Sequence, residues 1–196
     1  GYQKREDLNV VSERAILVAI TLWGERIPLD ERFAELSALT ESAGGEVVGY
    51  LTQKRRLPRG RTFVGKGKLD ELKNLAESTD ASVIIFDHDL TPAQIQNVEE
   101  ATERKIIDRS ELILDIFSSR ADTVEARLQV EIAQLEYTYP RLRAMWDHLG
   151  QVTGGAPIGI GTRGPGEQQL EIDRRLVQRR LKQLRRELET MQQRSV

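Results

Sequence analysis

Between Asp122 and Met191 the sequence carries two apolar stripes separated by a glycine-rich break. In the first arm apolar residues fall at Val124, Leu128, Ile132, Leu135, Tyr139 and Leu142. In the second they fall at Leu170, Val177, Leu181, Leu184, Leu188 and Met191. Steps of three and four place each set on one side of a helix, close to a coiled-coil seam. Two such stripes joined by a break can bury each other, which predicts a long antiparallel helical hairpin. The break, Gly150 to Gly166, holds seven glycines and two prolines in 17 residues. That is too long and too glycine-rich for a minimal helix–helix turn, so an elongated arm with a mobile tip is expected.

Upstream, short apolar runs alternate with helix-like segments. Arg14–Ile20 reads as a strand buried on both faces, Glu46–Thr52 as a second, Ala81–Phe86 as the clearest and Lys105–Ile107 as a short fourth. The segments between them step like helix faces. Asp30 is expected to cap the first, and Gly44-Gly45 to end it. Gly67–Glu77 forms the next, and Thr91-Pro92 with Gln94 carries the capping-box pattern of a third. Glu111–Phe117 is a fourth, and Asp122 is expected to cap the first hairpin arm. Alternating strand and helix predict a parallel sheet covered by helices. The fold class is therefore α/β: a small parallel-sheet domain over 1–120, followed by a coiled-coil-like helical hairpin over 121–196 with its tip loop at 150–166. Lys54–Arg61 is expected as a basic loop and Thr62–Val64 as a short extended piece.

Charge sharpens the functional reading. The net charge of -2 hides an asymmetry: residues 141–196 carry 11 Lys+Arg against 6 Asp+Glu, residues 1–140 carry 18 against 25. A basic hairpin favours an anionic partner, nucleic acid before membrane, since no wide apolar face accompanies the charge. No apolar run approaches the ~18 residues of a membrane span. With no cysteine, disulfide frameworks and cysteine-based zinc or thiol chemistry are excluded, and a reducing, cytoplasmic setting is the expectation. The first residue is Gly1, which reads as a cut or processed piece of a longer chain.

Three motifs bear on chemistry. Gly60–Gly67 fits seven positions of GxxxxGK[ST] but places Gly67 where Ser or Thr would bind magnesium, and no strand runs into its first glycine. It reads as a turn opening a helix, with Lys66 and Lys68 as possible nucleotide or phosphate contacts. Gly159-Ile-Gly161-Thr-Arg-Gly164 matches GxGxxG, yet lacks the βαβ setting of a dinucleotide site. Glycines there let the backbone approach a partner closely, and Arg163 can pair with phosphate or stack on a base. Asp87-His88-Asp89 follows the best strand, where a parallel sheet binds ligands, but no further cluster completes a metal site. Asp89 there favours the positive end of the helix that begins near Pro92.

Several stretches together resemble the HflX-type translational GTPases. These are Phe63-Val-Gly-Lys-Gly-Lys68 with Glu71-Leu72, Phe86-Asp-His-Asp-Leu-Thr-Pro-Ala-Gln94 with Asn97, and Asp108–Phe117 with Arg120-Ala121. The hairpin adds Glu125, Leu128–Leu135, Pro140-Arg-Leu142 and Trp146, then Gly159-Ile-Gly-Thr-Arg-Gly-Pro-Gly-Glu167 with Leu170-Glu171 and Asp173-Arg-Arg175. Gln168 stands where the family usually has threonine, and Ala156-Pro157 interrupts a plainer glycine run.

The resemblance implies the N-terminal, ribosome-contacting part of such a protein, itself not an enzyme. The GTPase domain, with GTP and magnesium, follows the hairpin in that family. The resemblance also implies binding to the large ribosomal subunit and its rRNA, splitting or rescue of stalled ribosomes, and a hairpin loop that approaches the peptidyl-transferase region. The candidate RNA contacts are then Arg163 with Gly154, Gly155, Gly159, Gly161, Thr162, Gly164 and Gly166 at the tip, and Arg141, Arg143, Arg174 and Arg175 flanking it. Two rivals stand beside this reading. One is a nucleotide-binding α/β domain using Gly60–Lys68. The other is a regulatory module that docks on the protein's own GTPase domain.

Overall fold

In a computed structural model of the chain, the structure describes residues 13–55, 60–137 and 165–194, with side chains of the last segment described from 174 onward. The chain divides into two compact units, Gly1–Ser119 and Arg120–Val196.

The first unit is a four-stranded parallel sheet of order β2-β1-β3-β4. The strands are β1 (Arg14–Leu22), β2 (Glu46–Arg55), β3 (Val83–Phe86) and β4 (Lys105–Asp108), alternating with α1 (Leu29–Ser42), α2 (Lys66–Thr79), α3 (Pro92–Thr102) and α4 (Arg109–Arg120). β1 lies at the centre and is buried on both faces, as its unbroken apolar run requires. Ile16, Val18 and Ile20 enter one core with Leu72, Phe86, Ile95 and Val98. Ala15 and Leu17 enter the other with Leu36, Ile85, Leu112 and Ile116. The period of two along a single strand thus builds two cores.

Local chemistry ends and starts the helices. The Gly45 amide donates to Thr40 O and the Gly44 amide to Glu41 O, with Gly44 at φ +87°, a Schellman ending for α1. α2 closes the same way around Asp80 at φ +52°, and Glu103 at φ +54° ends α3 through a bond to Glu99 O. The capping box of α3 forms: the Gln94 amide donates to Thr91 Oγ1 (3.2 Å) while Gln94 Oε1 accepts from the Thr91 amide (3.0 Å).

Four local expectations are corrected. Pro28, not Asp30, holds the N-cap of α1, and Asp30 lies in the first turn, where its charge still suits the helix dipole. Lys54 and Arg55 belong to β2 rather than to a loop, since they pair with Thr21 and Leu22 of the long central strand. Thr62–Val64 is a turn rather than an extended piece, with Phe63 at φ +63°. Thr123, not Asp122, caps the first hairpin helix, its Oγ1 accepting from the Ala126 amide at 3.0 Å.

The second unit holds α5 (residues 124–137) and α6 (Pro165–Arg194). Glu125 meets Gln192 and Glu131 meets Arg180, so one helix ascends as the other descends. Leu128, Leu181 and Leu184 are buried in the seam. Val124, at the start of the predicted stripe, is instead 61% exposed. α6 begins at Pro165, so Pro165 and Gly166 of the expected tip loop are helical; proline suits the first helical position, where no amide hydrogen is needed.

Candidate nucleic-acid interface

The motifs of the first unit converge at the carboxyl edge of the sheet. The turn over residues 60–65 is pinned there by side chains from β2 and α3. Gln94 Nε2 donates to Gly60 O (3.1 Å), Asn97 Nδ2 to Arg61 O (2.9 Å) and Arg55 to Phe63 O (2.8 Å). Thr62 Oγ1 donates to Val64 O, and the Gly65 amide donates to Gln53 Oε1 (2.9 Å). Phe63 is buried with its ring against Phe86 and 5.2 Å from the His88 ring. A residue other than glycine in the left-handed region costs about 1–2 kcal/mol, and burial of the Phe63 ring outweighs that cost.

In open α/β sheets ligands enter where strand order reverses, here between β1 and β3. In this chain Arg32 of α1 fills that crevice. It is 8% exposed, and its guanidinium donates to Asp87 Oδ2 (2.8 Å), Glu25 Oε2 (2.8 Å) and Ile20 O (3.0 Å). A further Arg32 nitrogen lies 2.6 Å from His88 Nε2. Arg109 holds the other Asp87 oxygen and also Glu35. The Glu35 hydrogen bond, partly offset by burial, raises the Arg109 guanidinium above its ordinary range. Asp89, two residues before the N-cap of α3, accepts from Ser110 Oγ at 2.6 Å. Buried Asp108 accepts the Leu90 and Glu111 amides and so starts α4. The acids here are engaged internally, and among the described residues no group of three His, Asp or Glu side chains can hold a metal ion.

Lys66 and Lys68 occupy the first turn of α2, whose N-cap is Gly65 without a side-chain cap. Lys66 is exposed, and Lys68 pairs with Glu71 at 2.9 Å. The segment is not a P-loop. β2 ends at Arg55, five positions short of Gly60 instead of running into it, and the Gly65 amide that would face a phosphate is bound to Gln53.

On the hairpin, Arg141, Arg143, Gly154, Gly155, Gly159, Gly161, Thr162, Arg163 and Gly164 lie outside the described residues. Gly166 is in the first turn of α6, and Arg174 and Arg175 follow two turns on, half-buried and exposed. Between Arg179 and Arg186 the cations of α6 divide into two sets. Arg180 and Arg185 flank the seam and pair with Glu131 (2.8 Å) and Glu136 (2.7 Å) of α5. Arg179, Lys182 and Arg186 fall on the opposite side of the helical wheel, are exposed, and have no ion-pair partner among the described residues. Their spacing of three and four puts like charges side by side, which destabilises a lone helix by about 0.2–0.5 kcal/mol per pair. Sequence reasoning counted these charges without separating them. The signal was present, since they sit out of phase with the Leu181, Leu184 and Leu188 stripe.

Two family models meet end to end along the chain. The description "GTP-binding GTPase N-terminal" matches residues 30–118, and "GTP-binding GTPase Middle Region" matches residues 120–196. The protein named GTPase HflX of Caldanaerobacter subterraneus is 46% identical over 187 residues, 95% of this chain. This chain belongs to the HflX-type GTPase family. The Escherichia coli protein of the same name is 44% identical over 180 residues, 92% of this chain. The matched parts are 42% and 41% of those two HflX proteins, so the chain spans less than half of their length. Among solved structures, a GTP-binding protein of Sulfolobus solfataricus in complex with GDP aligns with TM-score 0.60 at 20% identity. That alignment covers 91% of this chain and 46% of the other, and shows a shared fold. The HflX signature read at Gly159–Glu167 and the GKGK segment at Gly65–Lys68 thus lie in the N-terminal and middle regions of that family.

Proposed function

We propose that this chain is the ribosome-binding region of an HflX-type GTPase. In this reading the hairpin enters the large ribosomal subunit and its tip approaches the peptidyl-transferase RNA, helping to split or rescue stalled ribosomes. The observation that carries it is the outward row Arg179, Lys182 and Arg186, unpaired among the described residues while Arg180 and Arg185 are paired to α5. A row of exposed cations that forms no ion pair among the described residues suits a polyanion. The 30 residues of α6, at ~1.5 Å each, give a reach of about 45 Å. RNA outside regular duplex is recognised by phosphate contact, shape and stacking, which a glycine-rich tip bearing Arg163 can supply. Arg141, Arg143, Arg174 and Arg175 would add phosphate contacts beside it. No catalytic role is assigned to this chain; GTP and magnesium chemistry belongs to the remainder of the relatives' length.

Co-sedimentation with purified large subunits tests the reading, run with the whole chain and with a variant lacking Gly154–Gly164. Binding that falls with salt and needs the loop is expected. Equal binding by both proteins would remove the tip from the contact.

A second reading rests on α2. Its first turn has two lysines, no acid and no side-chain cap, so its amides and charges suit a phosphate. On this view Lys66 and Lys68 hold the phosphates of a nucleotide. Saturable binding of a nucleoside triphosphate, lost in Lys66→Gln/Lys68→Gln, would support it; no binding at millimolar nucleotide would dismiss it.

A further inference from the structure

The loop between β1 and α1 exposes the largest apolar side chain of the first unit. Trp23 is 82% exposed and Ile27 62% exposed. The loop holding them is fixed. The Glu25 amide closes a turn onto Leu22 O (3.2 Å), and Gly24 supplies the required φ of +91°. The Glu25 carboxylate accepts from the Leu22 amide (3.0 Å) and from Arg32 (2.8 Å), which anchors the turn to the buried cluster. The Trp23 amide donates to Arg55 O (3.2 Å), tying the turn to the end of β2. An indole presented on a rigid turn loses little entropy when a partner covers it.

The surroundings select the partner. Arg26 is exposed three residues on, and exposed Lys54 stands in register with Thr21. Arg55, in register with Leu22, reaches Phe63 O, which brings exposed Arg61 and Lys66 to the same edge. Of the acids near that edge, Glu25, Asp87, Asp89 and Asp108 are turned to Arg32, Arg109, Ser110 and backbone amides, while Asp30 and Glu31 in the first turn of α1 stay exposed beside the Trp23 turn. An exposed aromatic ring with the outward cations Arg26, Lys54 and Arg61 beside it is an arrangement that binds unpaired bases and their phosphates. An acidic protein would match the charge but not the ring, and a neutral protein surface would match the ring alone.

We infer that the carboxyl edge of the α/β unit is a single-stranded RNA platform, with Trp23 stacking on a base and Arg26, Lys54 and Arg61 facing the backbone phosphates. It lies in a different unit from the hairpin and does not depend on the ribosome reading.

The chain has two tryptophans, Trp23 and Trp146, so a Trp146→Phe background makes emission report on Trp23. The probe is an oligoadenylate of about ten nucleotides, within the usual site size of single-strand binders. Saturable quenching that weakens with salt is expected, together with roughly tenfold weaker binding of labelled RNA by Trp23→Ala in anisotropy. Trp23→Phe should retain most of the affinity, and a Lys54→Gln/Arg61→Gln variant should show a shallower salt slope. Deleting Gly154–Gly164 should leave the quenching intact even where it abolishes large-subunit binding, which separates this platform from the tip. Trp23→Ala binding within about twofold of the parent, or quenching lost with the tip loop, would overturn the inference. So would absence of quenching, which would leave the turn to a protein surface.

Discussion

The Arg32 guanidinium of α1 lies 2.8 Å from the Asp87 carboxylate at the end of β3, across the point where the sheet reverses its strand order. Both side chains are more than nine-tenths buried. The crevice that a related architecture keeps for a ligand is thus held by an internal ion pair, and the chemistry of the unit moves outward to its loops. Removing one partner of a buried pair leaves the other charged and poorly solvated. Arg32→Ala should therefore cost about 3 kcal/mol, although Arg109 still holds Asp87. Urea unfolding measures this. An unchanged midpoint would mean that the cluster contributes nothing to the fold.

Phe63 inverts a familiar order of substitutions. Elsewhere alanine is tolerated better than glycine, but at φ +63° the Cβ is itself a cost. Both changes lose the buried ring, at about 3–5 kcal/mol for alanine. Phe63→Gly should be the more stable of the two by roughly 1 kcal/mol. Thermal melts of the pair decide it, and the opposite order would show that the turn relaxes out of the left-handed region.

Asp80 and Glu103 end α2 and α3 in the same left-handed conformation, and both are exposed. Asp80→Gly and Glu103→Gly should each stabilise the unit by about 0.5–1 kcal/mol. Glu103 gives up only a 3.9 Å surface pair with Lys73, worth little. A loss of stability in chemical denaturation would assign these side chains a role that their exposure does not suggest.

Asn97 and Gln94 hold the carbonyls of Arg61 and Gly60. Asn97→Ala should leave the helix intact and release the turn, at about 1 kcal/mol for the lost bond. Hydrogen exchange at the amides of residues 61–65 should accelerate by roughly fivefold, the equivalent of that energy. Exchange that does not change would mean the turn is fixed by Phe63 burial alone.

On α6 the two sets of cations should separate in experiment. Leu184→Ala removes a fully buried side chain from the seam and should cost about 2–4 kcal/mol. Arg180→Ala breaks an exposed pair with Glu131 and should leave the melting temperature almost unchanged. Arg179→Gln/Lys182→Gln/Arg186→Gln should leave the melting temperature unchanged or slightly raised, because it relieves like-charge contacts. The same triple variant should weaken large-subunit binding and lower its salt slope by up to about 0.7–0.9 per lost phosphate contact. Full affinity at every salt concentration would return this face to simple solvation.

Periodicity by itself determined the architecture. The unbroken run Arg14–Ile20 is the pattern of a central parallel strand, and the alternation of strand and helix leads to the observed sheet. The three- and four-residue steps of Leu181, Leu184 and Leu188 lead to the hairpin seam. The capping box at Thr91 and Gln94 was legible because both partners lie within one helical turn. Caps that depend on what precedes the helix were less so, as Pro28 and Thr123 show.

Tertiary structure decided what joins residues far apart in the chain. Arg32 gave no signal beyond one cation in an amphipathic helix, yet it meets Asp87, 55 positions away, at a point set by strand order. The turn at Gly60–Gly65 resembled a phosphate loop by spacing, and only the Gln53, Gln94 and Asn97 side chains make it a rigid, inward-bonded turn. Local sequence sets periodicity and caps because their partners are within a few residues. Which charges are spent inside and which are left outward depends on the packing of distant segments, and only the folded chain fixes that.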